Sequence, residues 1–355
     1  MAVRHERAPV VGIDLGGTKT LVGIVDAQNR ILGRAKRPTP AKEGADAILR
    51  TMLDAVEEAL GLASVSRSDL LAVGVGSPGP LDLERGVILH TPNLNVRDFP
   101  LGPELAKALG RPVLVQNDVR VGGYGEFRLG AGRGYRDIIA AFVGTGIGGC
   151  IISAGQMLAG RTGNAGEVGH IVVKAGGAKC GCGSRGCLEA VASKTAIARR
   201  IGKAIRKGIP SVLSSKLDSR NSRLKSRDLA AAVAANDAVA IREVKRAAHY
   251  LGLGMGSLVN VLGPEIVIIG GGVSGALGAP WIDMIRIAAR QQILVDPDKQ
   301  IKIELAGLGD DAGILGASLL AREKFARETV SFDLESPGSE DGTRAKQLNP
   351  TPVGS

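Results

Sequence analysis

Gly144-Thr145-Gly146-Ile147-Gly148-Gly149, Gly166-Glu167-Val168-Gly169-His170 and Cys180-Gly181-Cys182-Gly183-Ser184-Arg185-Gly186-Cys187-Leu188-Glu189 follow one another in mid-chain, and their reading decides the fold. The first piece comes directly after an apolar run, Ile138 to Val143. A strand ending in a Gly/Thr loop leaves backbone N–H groups free to face an anion, and no Cβ blocks close approach. The last piece offers the thiols of Cys180, Cys182 and Cys187, with His170 a short way upstream. One His and three Cys make a tetrahedral zinc set of soft sulfur and borderline nitrogen. Four protein ligands leave no open position, so such a zinc is structural. Glu167 and Glu189 flank the knuckle. By themselves they are ordinary surface carboxylates; their adjacency to the metal motif argues for a binding site.

Upstream, Val10 to Leu15 is an apolar β-type run containing Asp14, and Gly16, Gly17, Thr18 and Lys19 form a turn after it. Thr20 to Asp26 and Ile31 to Arg37 then alternate like a hairpin around residues 27–29. The turn lacks the spacing of a P-loop and of a Rossmann fingerprint, so read alone it is a plain β-turn. The design recurs, however. Gly16 to Arg34 and Gly144 to Arg161 each run glycine loop, β-run, turn and second β-run ending in Gly-Arg. This is the pattern of an internal duplication, in which two glycine loops facing across a cleft would clamp a polyphosphate chain.

Helical periodicity covers Glu43 to Leu60, with Ile48, Met52, Leu53, Val56 and Leu60 on one face. Further helices are expected over Ala190 to Ile205, Asp228 to Ala235, Ala238 to Val261, Pro280 to Ile293 and Ile314 to Arg327. Leu71 to Val75, Val113 to Gln116 and Ile266 to Ile269 read as buried strands, and Gly76 to Pro80 as a loop. His90 reads as a loop histidine. Asn117 and Asp118 stand at a strand's carboxyl end, where polar groups of an α/β fold face the ligand crevice. Asn-Asp suits a helix N-cap equally well.

The chain has 355 residues, 44% hydrophobic and 23% charged, enough for two domains. Its 51 glycines and 3% aromatic content suggest many tight loops and close backbone approaches to a ligand. No apolar run is long enough for a membrane span and no signal-peptide pattern precedes Val10, so the cytoplasm is the expected location. Three clustered cysteines at metal spacing argue against a secreted disulfide framework, and Cys150 reads as a small buried hydrophobe. The net charge of +10 is concentrated between Lys194 and Asp228, where eleven Lys/Arg against two Asp give +9. No aromatic residue interleaves those charges as single-strand nucleic-acid readers require, so the stretch reads as solvated helices and a polar connection, with no nucleic acid expected. Ser331 to Ser355 is polar and Pro/Gly/Ser-rich, and is expected to be disordered.

Gly144 to Gly149, joined to G-x-x-G-E-x-G-H at Gly163 to His170, resembles the central signature of the ROK family. That family comprises bacterial sugar kinases and related transcriptional repressors that share the kinase-like core. Cys180 to Glu189 is similar at every fixed position to its zinc signature, C-x-C-G-x-x-G-C-x-E, and Asp14 to Lys19 supplies its D-L-G-G-T-K. The resemblance runs from about Val10 to about Phe325. It implies an α/β, two-domain actin-like (ribonuclease H-like) sugar-kinase fold with a central cleft. A small domain would span residues 1–118 and a large zinc-bearing domain 119–311, with a closing helix at 312–327 packing back on the first and residues 331–355 as tail.

The activity so implied is ATP-dependent phosphorylation of a hexose, glucose to glucose 6-phosphate, in glycolysis. Asp118 would be the general base. Gly79, Asn93, Asn117, Glu167, His170 and Glu189 would surround the sugar. Asp14, Gly16, Gly17, Thr18 and Lys19, with Gly144, Thr145 and Gly146, would hold ATP and Mg²⁺, and Gly271 and Gly272 would lie against the nucleoside. His170, Cys180, Cys182 and Cys187 would bind Zn²⁺. Asn117, Asp118 and Glu126 meet the family pattern of Asn-Asp followed by Glu. Two places depart from it: Asn95-Val96-Arg97 stands where Pro-Gly-Trp is usual, and Val119-Arg120-Val121 where small residues are. Arg120 would then alter the pocket rim or point to solvent. N-acetylglucosamine, N-acetylmannosamine and fructose remain alternative substrates, and polyphosphate or ADP alternative donors. A non-catalytic sugar-sensing regulator is the alternative of another class; Met1 to Pro9 is too short for a helix-turn-helix domain, which argues against it. The expected assembly is a homodimer or higher homo-oligomer.

Overall fold

The computed structural model describes residues 7–217, 224–294 and 301–334. Its first half is built on β1 (Val10–Leu15), β2 (Lys19–Val25) and β3 (Ile31–Pro38), an antiparallel set. Strands β4 (Ala72–Ser77) and β8 (Val113–Asn117) extend it on the far side of β1 as parallel neighbours, giving the order β3-β2-β1-β4-β8. Helix α1 (Ala45–Ala63) buries Ile48, Met52, Val56 and Leu60 against this sheet, while Leu53 is only partly covered. Each such side chain contributes roughly 1.5–3 kcal/mol on burial, so the helical stripe read from the sequence is what holds α1 down. A small sheet of β5 (Leu81–Asp82), β6 (Val87–Thr91) and β7 (Val96–Phe99), followed by α2 (Leu101–Leu109), completes this half. His90 lies within β6, exposed, and not in a loop.

Helix α3 (Asp118–Leu129) leads into the second half, whose sheet contains β9 (Ile138–Val143), β10 (Ile147–Ser153) and β11 (Gln156–Met157) as antiparallel neighbours. Strands β12 (Ile266–Gly270) and β13 (Lys302–Leu305) then pair in parallel, giving the order β11-β10-β9-β12-β13. The two five-stranded sheets thus share one strand order and one set of directions, and the repeat seen in the glycine loops extends to the whole topology.

Helices α4 (Leu188–Ala192), α5 (Lys194–Arg206), α6 (Ser214–Leu217), α7 (Ser226–Ala234), α8 (Ala238–Leu262), α9 (Gly271–Leu277) and α10 (Ala279–Arg290) belong to the second half. Most of them close over a large core that includes Trp281, fully buried with its ring N–H donated to Ser274 Oγ at 3.2 Å. The single helix expected over 190–205 is two helices. Ser193 is extended (φ −66°, ψ 163°), and its side chain caps the second helix by accepting from the Ala196 N–H. A serine competes for backbone hydrogen bonds in this way more readily than it continues a helix.

The last helix, α11 (Asp311–Leu334), returns across β1, β4 and α3. It lies so close that a Cβ at Gly12 would stand 2.1 Å from the Ile314 carbonyl, and one at Gly74 2.0 Å from that of Ala317. Glycine is therefore required at both points. The helix runs on to Leu334, past the expected end at Arg327 and into the expected tail; residues 335–355 of that tail lie outside the described residues. Among the described residues, no helix is long and apolar enough to cross a membrane.

Candidate active site

A cleft of about 1840 Å³ opens between the two halves. Single small-ligand pockets usually measure ~300–1,000 Å³, so this one has room for two ligands side by side. Gly17, Thr18, Gly79, Asn93, Asn117 and Asp118 line it from the first half, and Gly144, Thr145, Gly146, Glu167, His170, Glu189 and Gly271 from the second. Asp14, Gly16, Lys19 and Gly272 are not on its wall. Asp14 lies behind it on β1, its carboxylate so close to Gly313 that a Cβ there would stand 2.7–2.9 Å away.

Strand β8 delivers Asn117 and Asp118, and both expectations for this pair are met at once. The Asn117 carbonyl oxygen accepts from the Val119 and Arg120 N–H groups at 3.0 and 3.1 Å and so caps α3. The cap uses Oδ1 and leaves the amide NH₂ as donor, and a hydrogen bond from Asn117 to the Asp118 carboxylate helps to lower the pKa of Asp118. Asp118 accepts from the Val119 N–H at 2.9 Å. Burial pushes its carboxyl up to about 6, against the opposing pull of that N–H. Burial, and next the charge of Asp118, push Asp14 up to about 7. Two carboxylates that resist ionisation in one region form a place that favours a cation or a proton.

The first glycine loop is pinned from behind. Thr39, at the end of the β2–β3 hairpin, donates its hydroxyl to the Gly16 carbonyl at 2.7 Å. Lys19 does not reach the cleft: its ammonium pairs with Asp310 at 2.7 Å. The second loop is braced by Glu189, whose Oε2 accepts from the Ile147 N–H at 3.0 Å and would stand 2.2 Å from a Cβ at Gly146. Thr195 also donates to the Thr145 carbonyl at 2.7 Å. Thr39 and Thr195 carry no sequence signal of their own, because each acts on a loop remote in sequence. Gly271 takes φ +86° against the Val143 backbone and opens α9, and Gly272 follows it inside that helix.

His170 closes a short 3₁₀ turn, Val168–His170. Its imidazole Nδ1 lies 3.6 Å from Cys180 Sγ, and Cys182 and Cys187 Sγ are 3.7 Å apart. One ligand atom from each of His170, Cys180, Cys182 and Cys187 falls within 4.8 Å of the others. This donor set fits a tetrahedral zinc. Glu189 ties the knuckle to the cleft, since its other oxygen, Oε1, meets Cys180 Sγ at 3.7 Å. Cys150, by contrast, is buried in β10, and burial pushes its thiol up to about 12.

Arg120 lies neither at the rim nor in solvent. It is 4% exposed, and its guanidinium donates to the carbonyls of Gly163 (2.6 Å), Ala165 (3.0 Å) and Leu158 (3.0 Å). Located two residues after Asp118, it thus holds the loop that leads into Glu167. A planar fork with five donors is the side chain able to serve three carbonyls at once. Arg120→Ala is expected to weaken sugar binding about tenfold and to leave the KM for ATP unchanged, with Arg120→Lys recovering part of the loss. Calorimetric titration with glucose checks this; unchanged affinity in Arg120→Ala would remove the loop from sugar recognition. Glu126 is a second strut. Fully buried, it accepts from the N–H groups of Ala131 (2.9 Å), Gly307 (2.9 Å) and Leu308 (2.7 Å), which ties α3 to the loop before α11.

The basic stretch divides. Lys216 pairs with Asp228 and Arg200 with Glu243, each at 2.6 Å, as a solvated or structural surface would. Yet Lys194, Arg199, Arg206 and Lys225 line the cleft, which corrects the expectation that the whole stretch faces solvent. The break at Ser193 sets the direction of α5, and local sequence does not encode that direction. Arg220 and Arg223 lie outside the described residues.

A duplicated α/β chain with a glycine loop from each half at one cleft is the actin-like, two-domain fold of sugar kinases. Residues 10–324 match the ROK family, and the chain belongs to it. The glucokinase of Halalkalibacterium halodurans is 36% identical over 315 residues, covering 88% of this chain and 95% of its own. A ROK family glucokinase from Streptomyces griseus, solved in complex with glucose and AMPPNP, superposes with a TM-score of 0.77 at 35% identity, covering 89% of this chain and 99% of its own. A ROK hexokinase from Thermus thermophilus gives 0.74 at 36%, covering 89% and 98%.

Proposed function

We propose that this chain is an ATP-dependent hexokinase of the glucokinase type, which converts glucose to glucose 6-phosphate in the cytoplasm and so feeds glycolysis. The observation that carries the proposal is Asp118, held at the end of β8 in the same cleft as both glycine loops and as Glu167 and Glu189. Similarity to glucokinases over most of the chain supports glucose as the sugar. Phosphoryl transfer asks the protein mainly for positioning and charge stabilisation. Asn93, Asn117, Glu167, His170 and Glu189, with the backbone at Gly79, suit a ring of hydroxyls. The glycine loops suit the phosphates. The oxygen of the sugar's primary hydroxyl bonds to the terminal phosphorus of ATP, the bond from that phosphorus to the ADP oxygen breaks, and the hydroxyl proton passes to Asp118.

Mg²⁺, arriving with the nucleotide, would supply charge neutralisation on the phosphates, and Asp14, just behind the cleft wall, would hold it through the waters that Mg²⁺ retains. His170, Cys180, Cys182 and Cys187 would hold a structural zinc, and His170, with one ring nitrogen so engaged, would keep its imidazole oriented for the other nitrogen to meet the sugar. Residues 1–118 and 119–311 act as the two lobes, with α11 returning to the first. Homo-oligomerisation is carried over from the sequence resemblance.

The test is ADP release, by a coupled assay, across a panel of hexoses. Glucose should give the highest kcat/KM; preference for N-acetylmannosamine, N-acetylglucosamine or fructose would move the assignment, and no ADP release with any hexose would remove it. The pH profile is a second readout. A general base works only when ionised, and Asp118 is held at about 6. Asp14, held at about 7, must be ionised as well to serve Mg²⁺, so kcat/KM should be level above about 7 and fall on acidification, by at least tenfold per pH unit below about 6. A profile flat down to pH 5 would exclude Asp118 as the titrating base.

A further inference from the structure

We infer that Lys194 is a phosphate-binding residue of the donor site, a role that rests on the kinase reading above. The cleft contains several cations: Lys42, Arg199, Arg206 and Lys225 line it with Lys194, and these four are exposed. Lys194 is half-buried. Among the described residues its ammonium has no carboxylate partner, and burial draws its pKa below the ordinary lysine value. Lys19, the cation that the first glycine motif offers for this task, is occupied by Asp310.

The position is held from both sides. The Lys194 N–H donates to the Gly144 carbonyl at 3.0 Å, and the next residue, Thr195, donates to the Thr145 carbonyl at 2.7 Å. The start of α5 is therefore fastened to the second glycine loop, so a phosphate seated on that loop lies within reach of the lysine. A half-buried ammonium without a counter-ion is costly to the ligand-free protein. That cost is offset when an anion arrives, and the contact is then charge-assisted. Ser193 makes the arrangement possible, because a continuous helix through 190–205 would point this side chain elsewhere.

The experiment uses full-length Lys194→Met, which keeps the length and removes the charge, with Lys194→Arg as the conservative variant. Three quantities are measured: turnover with ATP, and binding of AMPPNP and of glucose by calorimetry. The expected result is a ten- to hundredfold lower kcat/KM for ATP and a similar loss of AMPPNP affinity in Lys194→Met. Glucose affinity should stay within twofold, and Lys194→Arg should retain at least a third of wild-type kcat/KM. Equal AMPPNP affinity in wild type and Lys194→Met overturns the inference while leaving the kinase reading standing. A parallel loss of glucose affinity and thermal stability also overturns it, since the role would then be structural. A wild-type protein that neither binds AMPPNP nor turns over ATP removes the kinase reading itself.

Discussion

Asp118→Asn is expected to lower turnover by roughly 10²–10⁴, the usual worth of a general base, with glucose affinity changed no more than a few-fold. A primary hydroxyl holds its proton tightly at neutral pH, and a carboxylate in reach both orients the oxygen and takes that proton as the bond to phosphorus forms. The environment of Asp118 suits the task. Burial raises its carboxyl to about 6, close enough to neutrality for it to be ionised at rest and still accept a proton. Asparagine keeps the size and one acceptor oxygen but cannot take a proton. Asn117→Ala separates the two roles of this corner. It removes the cap of α3, worth about 1 kcal/mol, and with it the amide that faces the cleft, so it should lose stability and sugar affinity along with rate. Calorimetry for the sugar and ADP release for turnover, on both variants, decide the matter. If Asp118→Asn kept more than about a tenth of wild-type turnover, less than ~1.4 kcal/mol of barrier would be at stake, and Asp118 would be no more than a residue of the helix start.

Cys182→Ser should abolish zinc binding, lower the melting temperature by roughly 5–10 °C and weaken glucose binding at least tenfold. The choice of residue makes the result diagnostic. Cys182 is exposed, whereas Cys180 and Cys187 are buried, and a surface Cys→Ser change without a metal would usually cost under ~0.5 kcal/mol. A large loss therefore reports the metal and not packing. Without zinc the knuckle would be held by short-range backbone hydrogen bonds, such as Cys180 N–H to the Ser184 carbonyl and Gly186 N–H to that of Ala178, and by the isolated bridges Val172 with Cys187 and Lys179 with Arg185. Glu189 would then lose its fixed relation to Cys180 and to the second glycine loop, which is how a structural ion reaches sugar affinity. Elemental analysis of the native protein showing no stoichiometric zinc would dispose of this account.

Much of the molecule is legible along the chain because its signals are local. The stripe Ile48, Met52, Val56 and Leu60 predicts a helix because burial of one face is what makes the helix stable. The spacing of Cys180, Cys182 and Cys187 predicts a metal set, and a knuckle of that length brings the thiols together with little help from the rest of the fold. The repeated glycine-loop hairpins announce a duplication, and the two sheets bear it out in their common strand order. What the sequence could not decide are relations between segments far apart. It offered Lys19 to the phosphates, but Asp310, arriving with the last helix, pairs with it. It left Arg120 at the rim or in solvent, but a loop some forty residues away turns three carbonyls onto it. It read Lys194 as solvated, because nothing local says that Ser193 breaks the helix and fastens the next one to a glycine loop. Periodicity and ligand spacing are properties of a single element, set by backbone geometry and burial. The partner of a charge is a property of how elements meet, and only the tertiary structure decides it.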